Sequence, residues 1–256
     1  MGMRSRGIVT SQDPGRKSNA IIMTSRQRPW RSEREGGKAD VVNLRMMFDE
    51  LFAVYGPQHW WPGITKTEIV AGAILTQNTA WSNVRRAIAN LRRERLLSFA
   101  ALRDVPIARL EKLIQPSGTY RVKARRLKAF VDELWGRHHG SLKSMLEGDV
   151  DEVRRRLLSI PGIGPESADA ILLYAGDRPT FVVDAYTQRI LRRHFVIDER
   201  ADYESVRSLF HETLPRDAKL FNEFHALFVE LGKRHCRSKA RCAGCPLENR
   251  PHDESL

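Results

Sequence analysis

The segment Leu157–Ser167, LLSIPGIGPES, is the strongest constraint on how this chain of 256 residues folds. It reads as two helical stretches facing each other across Pro161-Gly162-Ile163-Gly164, with the second helix opening at Pro165. Proline is pre-set for a first helical turn, and glycine suits the tight reversal before it. Such a hairpin exposes backbone N–H groups at a helix N-terminus, a ready seat for a phosphate. Gly162 and Gly164 are read as allowing positive φ and a close approach by another backbone. Ala168 is small enough for the two helices to cross closely. A Gly-x-Gly that follows a strand belongs to a dinucleotide fold; here it lies between helices, which disfavours that fold. The plain alternative is an ordinary tight helical turn. Downstream, TFVVDAY carries a single carboxylate, Asp184, in apolar surroundings. Hairpin and acid together suit a chain that grips a nucleic-acid backbone and points one acid at a sugar.

The remaining pattern is helical. Residues 41–55 carry apolar side chains at Val42, Leu44, Met47, Phe48, Leu51 and Phe52, one helical stripe that ends at Gly56-Pro57. Trp60-Trp61-Pro62-Gly63 reads as a loop. Further helices are expected near 67–77, 81–93, 97–101, 106–113, 120–136, 141–145, 150–158, 165–175, 183–195, 202–213 and 217–234. The one strand candidate, Thr180–Val183, is too short, so the expected class is all-α. Trp81 and Phe99 are assigned to the core. Residues 1–40 are polar and aperiodic, with nine Lys or Arg against four Asp or Glu, and are expected to be a disordered basic extension. Net charge is +12, which favours a polyanionic partner. No stretch approaches the roughly 18–20 apolar residues of a membrane span. Residues 1–22 lack the apolar centre of a signal peptide, so a cytoplasmic, nucleoid-associated monomer is expected.

Ile160–Ala168 with Thr180–Leu191 resembles the helix-hairpin-helix and Gly/Pro-rich loop-aspartate signature of the endonuclease III superfamily of DNA glycosylases. The resemblance extends to Ala73–Thr79 (AILTQNT), to Gly118–Ala124 (GTYRVKA) and to a C-terminal cysteine cluster, covering about 41–250. It implies two helical domains with a DNA cleft between them: a six-helix barrel over 64–176, and a second domain from 41–63 and 177–256. It also implies double-stranded DNA with a damaged base as the substrate.

Asp184 matches the family's catalytic aspartate. Cleaving an N-glycosidic bond builds positive charge on the sugar, and a nearby carboxylate in low dielectric stabilises it and can orient or deprotonate a water. The same residue can serve as a helix N-cap. Where bifunctional relatives carry a Schiff-base lysine, this chain has Glu166, and a carboxylate cannot form an imine. A monofunctional enzyme with water as nucleophile is the expectation; the plain alternative for Glu166 is that it only favours its helix N-terminus. Trp60, Trp61 and Pro62 resemble the base pocket of the endonuclease III-like 3-methyladenine glycosylases. Indole faces suit a cationic base, by roughly 1–2 kcal/mol; the other reading makes the tryptophans core filler. Gln77, beside Asn78, matches the residue that fills the hole left by a flipped nucleotide. Lys123 is a candidate phosphate contact, along with Arg121, Arg125, Arg126 and Lys128.

Cys236, Cys242 and Cys245 are the only three cysteines, with gaps of five and two residues. In a reducing compartment such a cluster reads as a metal site before a disulfide. The resemblance implies a four-iron four-sulfur cluster, yet relatives have six residues in the first gap and a fourth cysteine. His252 is the candidate fourth ligand. Zinc would accept the same set, and an empty loop is the third option. Alkylated purines such as 3-methyladenine are the expected lesions. The alternatives are oxidised pyrimidines and a non-catalytic DNA-binding module.

Overall fold

The computed structural model describes residues 44–60 and 63–255. The chain divides into units 1–37 and 38–256, and every helix below lies in the second. The expected disordered extension, together with Trp61 and Pro62, falls outside the described residues. Within them the fold is all-α, as expected, with twelve helices and no strand. These are α1 (Leu44–Tyr55), α2 (Lys66–Leu75), α3 (Trp81–Arg93), α4 (Phe99–Asp104), α5 (Ile107–Ile114) and α6 (Tyr120–His138). Then come α7 (Leu142–Met145), α8 (Val150–Leu158), α9 (Pro165–Ala170), α10 (Ala185–Arg193), α11 (Tyr203–Thr213) and α12 (Ala218–Arg234). α9 runs on into a π-helical turn, Ile171–Ala175.

Local chemistry starts most of them. Thr65, Ser98, Ser141, Asp149, Asp184, Asp202 and Asp217 each cap a helix by accepting from a backbone N–H two or three residues on. Each such cap contributes about 1 kcal/mol. Apolar stripes then choose the buried faces. In α3 the buried residues are Val84, Ala87, Ile88 and Leu91, a three-and-four spacing. α2, α3, α5 and α6 pack on one another, α12 packs on α1 and α10, and the π turn touches both α2 and α12. Phe224 of α12 sits in an aromatic cluster with Phe48, Phe181, Phe210 and Phe228.

Two expectations fail here. Trp81, assigned to the core, is 38% exposed. It opens α3, where its ring lies near Gly72 and covers only one side of α2. Lys123, a candidate phosphate contact, is fully buried. Its ammonium donates to the carbonyls of Leu75 (2.9 Å) and Ser117 (2.6 Å), which end α2 and the turn before α6. It is a structural cap.

One buried polar network ties α8, α9 and α11 to the strand-like stretch before α10. Asp169 is fully buried. Arg154 grips it through two bonds, 2.9 and 3.1 Å, and Thr180 and Tyr203 each donate to it at 2.8 Å. The Tyr203 hydroxyl in turn accepts from Val183 N, one residue before Asp184.

Candidate active site

The hairpin forms as read, with a correction. Gly162 has φ +86°, and a Cβ there would stand 2.6 Å from Arg126 Cδ. Gly164 does not use positive φ. It has φ −93° and ψ 177°, extended backbone open to any residue, and it caps α9. What distinguishes it is space: a Cβ on Gly164 would meet nothing within 4 Å. The approach to the first N–H groups of α9 is therefore open.

Gln77 is tied to this hairpin. Its amide nitrogen donates to Gly162 O (3.0 Å) and Ser167 Oγ (2.9 Å), and Arg126 donates to its amide oxygen. Asn78, next in the chain, is exposed with φ +52°. Loop and hairpin thus present one surface.

Asp184 caps α10: its Oδ1 accepts from Thr187 N at 2.7 Å. Its Oδ2 lies 3.5 Å from His225 Nε2, and the side chain is 16% exposed. Burial pushes its carboxyl pKa up. The His225 imidazole beside it, with the Thr187 N–H, outweighs this and holds it below the usual carboxylate range. Glu166, in the first turn of α9, is shifted the opposite way. Crowding by protein raises its pKa, the Asp184 charge adds to the rise, and His225 opposes it. Solvent still reaches the side chain. Two carboxyls near each other with pKa values pushed apart are a common acid–base arrangement.

Sequence reasoning missed two members of this site. His225, from α12, and Tyr174, from the π turn, are buried, and the Tyr174 hydroxyl lies 2.7 Å from His225 Nδ1. Trp60 packs against both, edge-on to Tyr174 (5.2 Å between ring centres) and tilted on His225 (5.6 Å). Trp60 therefore stands beside the aspartate. The signal that could have found the pair is a polar aromatic inside each of two apolar stretches, LLYA and FHALF.

Cys236, Cys242, Cys245 and His252 line one small cavity with Arg193 and His194. Burial raises the Cys245 thiol to about 11 and the Cys242 thiol in the same direction. Arg193 donates to Cys236 Sγ at 3.2 Å. His252 Nδ1 lies 2.7 Å from Arg250 O, which leaves Nε2 as its ligating nitrogen. Ligand atoms of Cys242, His252 and Glu254 all lie within 4.8 Å of one another, so Glu254 joins the candidates. Three thiols and an imidazole held by a carbonyl fit iron–sulfur or zinc ligation chemically.

The profile of the HhH-GPD superfamily of base excision DNA repair proteins matches residues 71–216. A protein of Methanocaldococcus jannaschii, provisionally described as a DNA repair glycosylase, is 48% identical over 200 residues. Those residues are 77% of this chain and 90% of that protein. An H. pylori 3-methyladenine DNA glycosylase bound to 1,N6-ethenoadenine superposes with a TM-score of 0.66 at 28% identity, covering 75% of this chain and 98% of that one. A non-covalent endonuclease III–DNA complex superposes with a TM-score of 0.72 at 22% identity, over 84% and 95% of the two chains. That last likeness concerns the fold.

Proposed function

Because this chain belongs to the HhH-GPD superfamily of base excision DNA repair proteins, we propose that it is a monofunctional glycosylase that hydrolyses alkylated purines such as 3-methyladenine from DNA. The carrying observation is the carboxylate pair. The carboxyl pKa of Asp184 is held below the usual carboxylate range, and the position two residues past Gly164 is Glu166 rather than an amine. An ionised Asp184 stabilises the cationic sugar of the transition state and orients the attacking water. The Glu166 side chain offers no route to an imine, so base release is not followed by strand cleavage.

In this reading the protein works as a monomer on double-stranded DNA. The open face of Gly162–Pro165 meets a backbone phosphate, and Gln77 and Asn78 fill the gap left by the flipped nucleotide. Arg121 and Arg125, exposed on α6, take the phosphate role expected of Lys123. Residues 64–176 form the barrel lobe, and 41–63 with 177–256 the other. Trp60 forms the wall on which a cationic base stacks; Trp61 and Pro62, the other two residues expected there, lie outside the described residues. The H. pylori relative, an enzyme for 3-methyladenine, supports that choice of lesion.

Cys236, Cys242, Cys245 and His252 would hold a four-iron four-sulfur cluster, with zinc as the other fit to the same donors and Glu254 at hand as an alternative ligand. When bound, the group would stiffen the loop that carries Arg237, Lys239 and Arg241, three exposed cations suited to phosphate. Iron and zinc analysis of anaerobically purified protein distinguishes the two.

Base release from duplexes carrying methylated purines, uracil, thymine glycol or mismatched adenine tests the whole reading. Methylated purines should be released fastest. Asp184→Asn should keep DNA binding and its helix cap while release falls by several orders of magnitude. Borohydride should trap no covalent complex with an abasic duplex. A trapped band, or near-normal turnover by Asp184→Asn, would overturn it.

A further inference from the structure

Tyr174 and His225 belong to none of the motifs read from the sequence, yet they are the groups that stand behind Asp184. Tyr174 is 3% exposed and His225 4%. A buried polar group without a partner is costly, so their protons can be placed by elimination. The Tyr174 hydroxyl has one hydrogen-bond partner among the described residues, His225 Nδ1 at 2.7 Å. Suppose Nδ1 carried the ring proton in a neutral imidazole. The Tyr174 O–H would then have no acceptor, and a bare Nε2 lone pair would face the Asp184 carboxylate at 3.5 Å. A doubly protonated ring would satisfy Asp184 but still strand the Tyr174 proton. One arrangement places both protons against an electron-rich atom: Tyr174 O–H donates to Nδ1, and Nε2–H faces Asp184 Oδ2 at 3.5 Å, longer than a formed hydrogen bond.

We propose that Tyr174 and His225 act as a positioning relay, fixing the neutral Nε2–H tautomer so that the Asp184 carboxylate stays charged and aimed into the cleft. The proposal rests on the reading of Asp184 as the catalytic acid group. His225 is a positioning residue here, since Asp184 stands between it and the substrate. The division of labour is geometric. Oδ1 of Asp184 is taken by Thr187 N, which fixes the carboxylate to α10. Oδ2 is addressed by His225 from α12, which sets its rotation. The ionisable groups around this point are Glu166 from α9, Tyr174 from the π turn and His225 from α12. Glu166 and Asp184 are like charges, so His225 Nε2–H offsets part of the repulsion that a second carboxylate imposes on Asp184. Trp60 packs on both rings.

Two measurements test this. Nitrogen-15 spectra of the histidine side chains, with His225 assigned by its loss in His225→Gln, should show Nδ1 unprotonated and Nε2 protonated at pH 7 in the full-length protein. A protonated Nδ1 overturns the relay without reference to activity. The second is the single-turnover rate of base release against pH. His225→Leu should move the acidic limb up by about one pH unit or more, because Asp184 then protonates more readily. Tyr174→Phe should move it less, in the same direction. His225→Gln, whose amide can still donate toward Oδ2, should return the limb toward wild type. A merely structural role would lower the rate at every pH and leave the limb in place, and that result overturns the relay. Should His225→Leu fail to fold, the spectra and the Tyr174→Phe limb decide. Normal turnover by Asp184→Asn removes the catalytic reading and the relay with it. An inactive Asp184→Asn with an unmoved His225→Leu limb removes the relay alone.

Discussion

Gly162 and Gly164 should fail in different ways when each receives a methyl group. At Gly162 φ is +86°, and a residue with a Cβ pays roughly 1–2 kcal/mol for left-handed backbone. The new Cβ would also stand 2.6 Å from Arg126 Cδ, so that side chain must swing away. Moving it breaks the bond from Arg126 to the Gln77 amide oxygen, about 1 kcal/mol more. The total of about 2–3 kcal/mol corresponds to a fall in Tm of roughly 5–10 °C for a domain of this size. Gly164 is already extended and its Cβ direction is empty. Gly164→Ala should therefore melt within roughly 1–2 °C of wild type. Its methyl would occupy the space through which a phosphate reaches the N–H groups of α9. Duplex affinity should fall about tenfold, or about 1.4 kcal/mol. Thermal melts and fluorescence anisotropy with an abasic-analogue duplex, at one fixed salt concentration, read both effects. Unchanged DNA binding in Gly164→Ala would refute the open-face argument. A wild-type melt for Gly162→Ala would refute the account of the turn.

Three further outcomes follow from the geometry. Glu166 has its pKa raised in the fold, so its ionisation opposes folding: the penalty is absent below the ordinary glutamate range and grows as pH rises through it. Glu166→Gln should accordingly raise Tm at pH 7 and leave it unchanged near pH 3.5, as melts across pH will show. Asp169→Asn leaves Arg154 and Arg207 buried without their shared carboxylate, and urea unfolding should register a loss of about 3–5 kcal/mol. Trp60→Ala should cut release of 3-methyladenine about 10–100-fold, at roughly 1–3 kcal/mol of lost stacking, and affect a neutral lesion less. Equal losses on both lesions would make Trp60 a support for Tyr174 and His225 alone.

How far the sequence could be read depended on how local each signal was. α3 was legible from its apolar stripe alone, and α8 because its stripe and cap lie within one turn of each other, as with Asp149 and the backbone of Glu152. The hairpin was legible for the same reason. Gly164 was misread because glycine marks either a need for positive φ or a need for empty space, and only the backbone angles separate them. Lys123 was misread because its neighbours include exposed arginines, while one of its partners, Leu75, comes from elsewhere in the fold and the other is a backbone carbonyl, Ser117 O, which no side-chain pattern marks. His225 and Tyr174 were missed for a related reason. They lie 41 and 10 residues from Asp184 on apolar helices, and no local pattern links them. The π turn was likewise hidden, since Ile171–Ala175 reads as a plain continuation of α9.

The same cations carry two kinds of work, which is why net charge alone overstates the DNA-facing surface. The run RVKARRLK of α6 shows the division. Lys123 and Lys128 turn inward onto carbonyls that helices leave unsatisfied. Lys123 meets Leu75 at the end of α2, and Lys128 meets Leu102, Arg103 and Val105 at the end of α4. A compact ammonium with three donors suits a cluster of carbonyls better than a planar guanidinium does. The arginines stay outside: Arg121 and Arg125 are exposed, and Arg126 leans on Gln77. Elsewhere Arg154 and Arg207 are consumed by Asp169 and its neighbours, and Arg193 by Cys236 and the carbonyls of Arg237 and Ser238. Arg154 and Arg207 hold α8, α9 and α11 in register, and Arg193 ties α10 to the cysteine loop. That register sets where the hairpin, Glu166 and Asp184 stand relative to one another. Several surface arginines are themselves paired with neighbouring carboxylates, as Arg103 with Asp104 and Arg109 with Glu94, while the buried ones position the acid that phosphates alone would not require.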